Sequence, residues 1–127
     1  MMKLPLTLVA SACLISCATI APLAKPGTVD HVVLMWQKYP GNTADRHALL
    51  AACTELRSIP GIQFLDTGTA LASDRPVVDD SFDVGLIVRF DSEKSLHRYE
   101  TSPLHLKKVT EVLKPLTRKI VVYDVVR

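Results

Sequence analysis

The last third of the chain, Phe82 to Val126, carries the pattern that most constrains the fold. Every second residue from 82 to 90 is apolar, which is the period of a strand with one buried face. Ser92, after Asp91, and later Ser102, before Pro103, each predict a helix start, because a serine side chain can accept a hydrogen bond from a free backbone N–H. We therefore expect a strand, a short helix, a longer helix and a closing strand over Lys119–Val126.

The longer helix carries a histidine on its apolar stripe. The stripe has the spacing of a core-facing helix and consists of Val109, Val112, Leu113 and Leu116. His105 lies one turn earlier on the same stripe, and Leu96 and Tyr99 share a face of the short helix. A polar ring that points into a core needs a hydrogen-bond partner or a cavity. His105 is therefore either a structural residue, bonded to a backbone carbonyl or a tyrosine, or part of a pocket.

Upstream, the sequence predicts two further strands and one helix. Residues 29–38 form a strand whose two faces carry Val32, Leu34 and Trp36, and His31, Val33 and Met35. A helix from Asn42 or Thr43 to about Arg57, a second strand over Ile62–Ala70 and a polar loop to Ser81 follow. The order β-α-β-β-α-β predicts an α+β, ferredoxin-like fold, with one four-stranded antiparallel sheet and helices on one face.

A sheet of this kind has a second face that its own helices do not cover. The sequence predicts apolar residues there as well, namely Val33, Met35, Ile87, Val121 and Tyr123. Apolar faces of several hundred square ångströms are rarely left in water. A second copy of the chain would cover this face by burying about 800 Å² on each partner. We therefore predict a homodimer in which two sheets pack face to face and close a barrel about a two-fold axis.

The first residues predict export. Leu4–Ile15 is an apolar run that is too short to span a bilayer as a mature helix but suits the core of a signal peptide. Leu14-Ile-Ser-Cys17 resembles the lipobox of bacterial lipoproteins, which implies cleavage before Cys17 and lipidation of that cysteine. The resemblance places the protein in the cell envelope, and Ala18, where Asp would signal inner-membrane retention, favours an outer-membrane anchor facing the periplasm. An ordinary signal cut near Ala21 or Ala24 is the alternative.

These assignments divide the chain into a signal at 1–16, a lipidated tether at 17–28 and a folded domain at 29–127. Cys13 leaves with the signal, so Cys53 is left without a disulfide partner within the chain. Cys53 lies on the apolar face of the first helix with Leu49, Ala52 and Leu56. We expect a buried and unreactive thiol.

Charge and motifs exclude several classes of function. The net charge is +2 and Lys/Arg runs do not exceed a pair, so nucleic-acid binding is not expected. Phosphate-loop, dinucleotide, nucleophile-elbow and Cys-x-x-Cys motifs do not occur in the sequence. No histidine pair has the helical spacing of a zinc site, and we expect His47 and His97 at the surface. The cluster of acidic residues does not have the spacing of a calcium-binding loop; its members are Asp74, Asp79, Asp80 and Asp83. We expect neither a metal nor a cofactor.

Six segments of the domain carry a family resemblance: His31–Gln37, Ile59–Ile62, Phe82–Ser92, Tyr99–His105, Leu113–Leu116 and Val121–Asp124. Their order and spacing resemble the stress-responsive dimeric α/β barrel (Dabb) family, whose fold is a dimeric ferredoxin-like barrel. A polyketide cyclase of that family works without a metal and uses a tyrosine and a histidine for acid–base chemistry. The resemblance implies that Tyr99 and His105 match this pair and that His31 matches a histidine of the first strand. Ser102 departs from the family pattern, which has a histidine there.

The sequence leaves three functions open. The first is a binding module without catalysis, which holds a small apolar or aromatic molecule in a pocket of Leu96, Tyr99, His105 and Val109. The second is a metal-independent cyclase or lyase in which His105 moves a proton, as an imidazole can near pH 7, and Tyr99 hydrogen-bonds the substrate. The third, suggested by other dimeric ferredoxin-like barrels, is a heme-binding or cofactor-poor oxygenase. His31 is either part of the site or an edge or dimer-contact residue.

Overall fold

Four strands form one antiparallel sheet with the order β2-β3-β1-β4, and the computed structural model describes residues 24–127. The elements are β1 Val29–Gln37, α1 Thr43–Glu55, β2 Ile62–Gly68, β3 Val84–Phe90, α2 Glu93–Glu100, α3 Pro103–Lys108, a π-helical segment Val109–Leu113, α4 Lys114–Leu116 and β4 Thr117–Val126. β1 lies between β3 and β4, and β2 pairs with β3 at the other edge. This confirms the ferredoxin-like α+β arrangement that the sequence predicts.

The export predictions concern residues outside this range. The signal at 1–16, the acylation site Cys17, the first part of the 17–28 tether and the alternative cleavage region at Ala21 all lie outside the described residues. Between residues 24 and 127, no helix combines the length and apolarity that a membrane crossing requires.

Short polar side chains start the helices where the sequence predicts. The caps are Asn42, Ser92 and Ser102, and each side chain accepts a hydrogen bond from the backbone N–H three residues later. Element ends differ from the prediction by a few residues. A 3-10 turn, Leu56–Ser58, follows α1, while β2 ends before Ala70 and β4 begins before Lys119. In this 3-10 turn the last carbonyls of the helix accept hydrogen bonds from N–H groups three residues later instead of four.

The long helix predicted after Ser102 is interrupted by the π-helical segment Val109–Leu113. Pro115 gives the physical reason. It has no N–H to donate, and in a regular α-helix its ring would collide with the carbonyl of Glu111. A wider turn before the proline moves that carbonyl aside. The predicted stripe is confirmed, since Leu113 is buried and its other members pack against the core.

The helices cover one face of the sheet. The strand residues in the core are Val29, Val33, Met35, Leu65, Val84, Leu86, Val88 and Phe90. The prediction that Val33 and Met35 lie on the uncovered face is therefore wrong. Both faces of β1 are apolar, and the pairing with β3 decides between them: Val33 lies opposite Leu86, whose face of β3 carries only large apolar side chains.

The opposite face, called here the open face, includes three rows that cross all four strands. The rows are Gly68–Gly85–Leu34–Val121, Asp66–Ile87–Val32–Tyr123 and Phe64–Arg89–Asp30–Val125. Ile87 and Tyr123 are 45% and 57% exposed, as the sequence predicts for this face. Phe82 does not join Val84 on the covered face. It precedes β3, and its ring packs edge-on against Trp36, with 6.5 Å between the ring centroids.

Cys53 is buried in the core and has no reactive environment. Burial raises the pKa of its thiol to about 11, so the thiol stays protonated at neutral pH. Backbone N–H groups donate to three of the four loop acids: Ser81 to Asp79, Ser73 to Asp80 and Gln37 to Asp83. Across residues 24–127 no group of three or more histidine, cysteine or acidic side chains is arranged to hold a metal ion.

Candidate functional site

His31 is a buried histidine held by a carboxylate of the neighbouring strand. It lies on the covered face of β1, opposite Asp124 of β4. His31 Nδ1 lies 2.6 Å from Asp124 Oδ1, and only 6% of the histidine is exposed. An ionised carboxylate only accepts hydrogen bonds, so Nδ1 carries the hydrogen. A neutral His31 therefore has its lone pair on Nε2, as a general base requires.

Tyr99 and His105 complete a cluster of three rings with His31. The Tyr99 ring lies in the middle, with its centroid 5.8 Å from that of His31 and 4.5 Å from that of His105. Phe90 packs against the same tyrosine, whose exposure is 1%. The turn between α2 and α3 brings Tyr99 and His105 together, because Ser102 starts α3 directly after α2 ends. The structure thus unites the three residues that the sequence singles out.

Burial holds the two helical site residues in their neutral forms. It lowers the pKa of His105, the bond to Glu100 partly offsets this, and the nearby His31 lowers the pKa again. His105 Nδ1 lies 3.0 Å from the Glu100 carbonyl oxygen, so Nδ1–H donates there and Nε2 has the lone pair. Burial also raises the pKa of the Tyr99 phenol. At neutral pH the cluster contains a neutral His105 imidazole and a protonated phenol.

A groove of about 300 Å³ lies beside the ring cluster, between α2 and the adjoining ends of β1 and β4. We call it the edge groove; its lining residues are Val29, Glu93, Leu96, His97, Glu100, Asp124 and Val126. Asp124 links the two features, because it lines the groove and also bonds His31. Of the four predicted pocket residues, Leu96 lines the groove. Tyr99, His105 and Val109 do not line it: Tyr99 is buried in the ring cluster, His105 packs against Tyr99, and Val109 packs against the core.

Sequence reasoning missed Asp124 as a site residue. Its only signal is a carboxylate at an otherwise apolar alternate position of the last strand. The pairing of β4 with β1, which places Asp124 opposite His31, depends on long-range register. His97 is exposed, as predicted, but it borders the groove and lies between Glu93 and Glu100. His47 is exposed and lies apart from the site.

The sheet, its helices and the buried ring cluster define a ferredoxin-like α+β domain with a histidine–tyrosine site. Residues 29–127 match the family model described as Stress responsive A/B Barrel Domain, or Dabb. The chain therefore belongs to the Dabb family.

Solved structures with the same fold include proteins of known and unknown function. A Dabb family protein with a ferredoxin-like fold from Mesorhizobium loti is 22% identical, with a TM-score of 0.66 over 80% of this chain and 97% of that chain. A dimeric ferredoxin-like protein of unknown function from Thermobifida fusca is 15% identical, with a TM-score of 0.66 over 83% and 95%. A hydroxynitrile lyase from Passiflora edulis is 24% identical, with a TM-score of 0.69 over 81% and 95%. A comparison with curated proteins found no match.

Proposed function

We propose that this Dabb domain is a homodimer that binds a small apolar or aromatic molecule in the edge groove. The observation that carries the proposal is the position of Asp124, which lines the groove and bonds the buried His31. Val29, Leu96 and Val126 offer apolar contact to the body of the ligand. A hydroxyl or N–H group of the ligand would donate to Asp124, whose side chain is 44% exposed. The groove volume of about 300 Å³ is at the lower end for small-molecule sites.

Two observations support the homodimer. Solved structures with this fold include proteins described as dimeric. The open face also carries large apolar side chains that the protomer leaves exposed, among them Phe64, Ile87 and Tyr123. Such a face is usually buried against a partner, and a second copy presents the same surface.

A groove-filling substitution tests ligand binding. The probe is a set of small phenols and aromatic acids, and the readout is saturation-transfer NMR with a dissociation constant for each binder. Val126→Trp should weaken binding at least about ten-fold, or 1.4 kcal/mol, because Val126 lines the groove with an exposed side chain and the indole would fill the groove. Leu106→Trp is the matched control, since Leu106 is exposed outside the groove. Equal binding by both variants, or no binding by the unsubstituted protein, would contradict the proposal.

A second candidate is a metal-independent lyase, and the His31–Asp124 pair favours it. Asp124 fixes the His31 tautomer and would stabilise the imidazolium that forms when Nε2 takes a proton from a bound substrate. The His31 imidazolium would return this proton to the leaving group, and the protonated Tyr99 phenol would bond a developing oxyanion. Proton transfer of this kind accelerates reactions by about 10²–10⁴-fold. A hydroxynitrile lyase shares the fold, which suggests cyanohydrins as first substrates.

The lyase candidate is tested by cyanide release from an aromatic cyanohydrin. His31→Gln and Asp124→Asn should each lower kcat by at least about 100-fold if His31 is the base. His47→Gln is the control, because His47 is an exposed histidine apart from the site. Release at the uncatalysed rate by the parent protein would exclude this activity.

We also propose that Cys17 is acylated and anchors the domain in the cell envelope. The support is the apolar run from Leu4, which ends in Leu14-Ile-Ser-Cys17. Mass spectrometry of the protein purified from membranes should show a lipid-modified chain that begins at Cys17. Cys17→Ser should abolish the modification and Cys13→Ser should not. An unmodified chain cut near Ala21 or Ala24 would contradict the anchor and support plain secretion.

A further inference from the structure

The polar groups of the edge groove are almost all hydrogen-bond acceptors, and this limits what the groove can hold. Its polar lining residues are Glu93, His97, Glu100 and Asp124. An ionised carboxylate has no hydrogen to donate, so His97 is the only side-chain donor among the described residues that line the groove. Resting on the proposed function above, we propose that the ligand is an amine, with an ammonium group joined to a small apolar or aromatic body.

The groove lining carries a negative charge whichever form its histidine takes. Glu93, Glu100 and Asp124 contribute three carboxylates, and within residues 24–127 neither a lysine nor an arginine lines the groove. A protonated His97 would cancel one of the three charges, and a protonated His31, which bonds Asp124, would cancel a second. At least one net negative charge therefore remains, and it favours a cation and opposes an acid.

Arg127, the residue after Val126, is engaged away from the groove. Its Nη2 atom lies 2.6 Å from Asp30 Oδ2. Asp30 also accepts two hydrogen bonds from Arg89, Nε–Oδ1 at 2.7 Å and Nη2–Oδ2 at 3.0 Å. One carboxylate of β1 thus holds both guanidinium groups, and the positive charge of Arg127 is paired before it can neutralise the groove.

The basic residues of α2 border a different groove. Lys94 and Arg98 line this second groove together with Glu93 and His97, which line both grooves and so lie between them. Glu100 lines the edge groove but not the second one. Among residues 24–127 its only ion-pair partner is His97, with 3.2 Å between Oε2 and Nδ1. Glu100 is therefore the carboxylate of α2 best placed to receive an ammonium group.

The groove has room for both parts of such a ligand. A cavity of about 150 Å³ is enough for a benzene ring, and the groove measures about 300 Å³. Val29, Leu96 and Val126 offer the ring an apolar surface. Asp124 bonds His31 through Oδ1, and its Oδ2 bonds none of the described residues. An ammonium group has three hydrogens to donate, so it suits a groove that offers carboxylates from both α2 and β4.

Three ligands of nearly the same shape test the charge preference: 2-phenylethylamine, 2-phenylethanol and phenylacetate. At about pH 7.5 the amine is a cation, the alcohol is neutral and phenylacetate is an anion. Saturation-transfer NMR on the full chain gives a dissociation constant for each ligand. The amine should bind at least about three-fold more tightly than the alcohol, which is within the range of one exposed ion pair, and phenylacetate should bind most weakly. Raising NaCl from about 20 mM to about 500 mM should reduce the advantage of the amine, because salt screens exposed charges.

A charge-neutralising substitution locates the preference in the groove. The measured quantity is the ratio of the alcohol dissociation constant to the amine dissociation constant, because a general loss of binding cancels in it. Glu100→Gln should lower this ratio at least about two-fold, since it removes one exposed ion pair. Glu111→Gln is the matched control, because Glu111 is an exposed glutamate that does not line the groove, and it should keep the parent ratio.

The outcomes separate this inference from the proposed function. If the alcohol binds and the amine binds no more tightly, or if phenylacetate binds best, the amine ligand is overturned and the apolar groove stands. The same ratio in Glu100→Gln as in the parent would also overturn it, because the preference would then not arise in the groove. If neither these three ligands nor the phenols bind, both proposals fail.

Discussion

Gly61 should be the glycine least tolerant of a side chain, because two independent costs coincide there. Its φ of +94° is a conformation that residues with a Cβ rarely adopt, and this costs about 1–2 kcal/mol. An added Cβ would also lie 3.2 Å from Ser95 Cβ and 3.3 Å from Ser95 Oγ. Ser95 cannot easily withdraw. It is fully buried, its Oγ donates to Asp91 at 2.5 Å, and it accepts from Arg98 at 2.9 Å.

The overlap with Ser95 should add about 1 kcal/mol, so Gly61→Ala should lower the free energy of unfolding by about 2–3 kcal/mol. For a domain of this size that corresponds to a fall in Tm of about 10 °C. The matched control is Gly41→Ala, since Gly41 has a φ of +82° but no atom within 4 Å of the added Cβ. Urea denaturation of both variants isolates the contact. If they lost the same free energy, the turn before β2 would not press against α2, and the reasoning would be refuted.

Three further predictions concern pH and reactivity. Hydrogen bonds from Arg89 and, to a smaller extent, from Arg127 hold the pKa of Asp30 well below its usual range. These ion pairs therefore stabilise the fold above about pH 4, and their contribution is lost as the pH falls further. Asp30→Asn should reduce the loss of unfolding free energy between pH 6 and pH 3 by about 1–2 kcal/mol, measured by urea denaturation; an unchanged loss would contradict this. Because burial lowers the pKa of His105, the neutral ring contributes fully to the free energy of unfolding above about pH 6.5, and this contribution decreases on acidification. An NMR titration of His105 should therefore have its midpoint below about pH 6.5. A midpoint above that pH would exclude burial as the dominant cause. Cys53, whose pKa is raised to about 11, should react with iodoacetamide at pH 8 at least about 100-fold more slowly in the folded than in the urea-unfolded protein, and similar rates would show that the thiol is not protected.

Local pattern predicted much of the fold. The alternation in β3 and the serine caps at Ser92 and Ser102 depend on neighbours in the sequence, and the structure confirms them. The resemblance to the Dabb family pairs Tyr99 with His105, and the structure places their rings together across one turn. Such features depend on residues that lie close together in the sequence, so local pattern is sufficient to predict them.

The features that sequence did not predict are long-range. Both faces of β1 are apolar, so its own pattern could not decide that Val33 and Met35 face the helices. Asp124 became a site residue only through the register that places it opposite His31. Phe82 continues the alternation of β3, yet it packs against Trp36, a residue more than forty positions away. In each case the deciding partner lies on another strand or loop, and its position depends on the assembled sheet.

The central claim is tested most directly by native mass spectrometry. The protein is purified from its own membranes in detergent and released from the detergent in the spectrometer. Because Ile87 and Tyr123 of the open face are exposed in the protomer, the protein should be found as a pair of chains. A mass of two lipid-modified subunits, with a small aromatic or apolar molecule retained, is the predicted result. A stable single subunit at micromolar concentration would contradict the account.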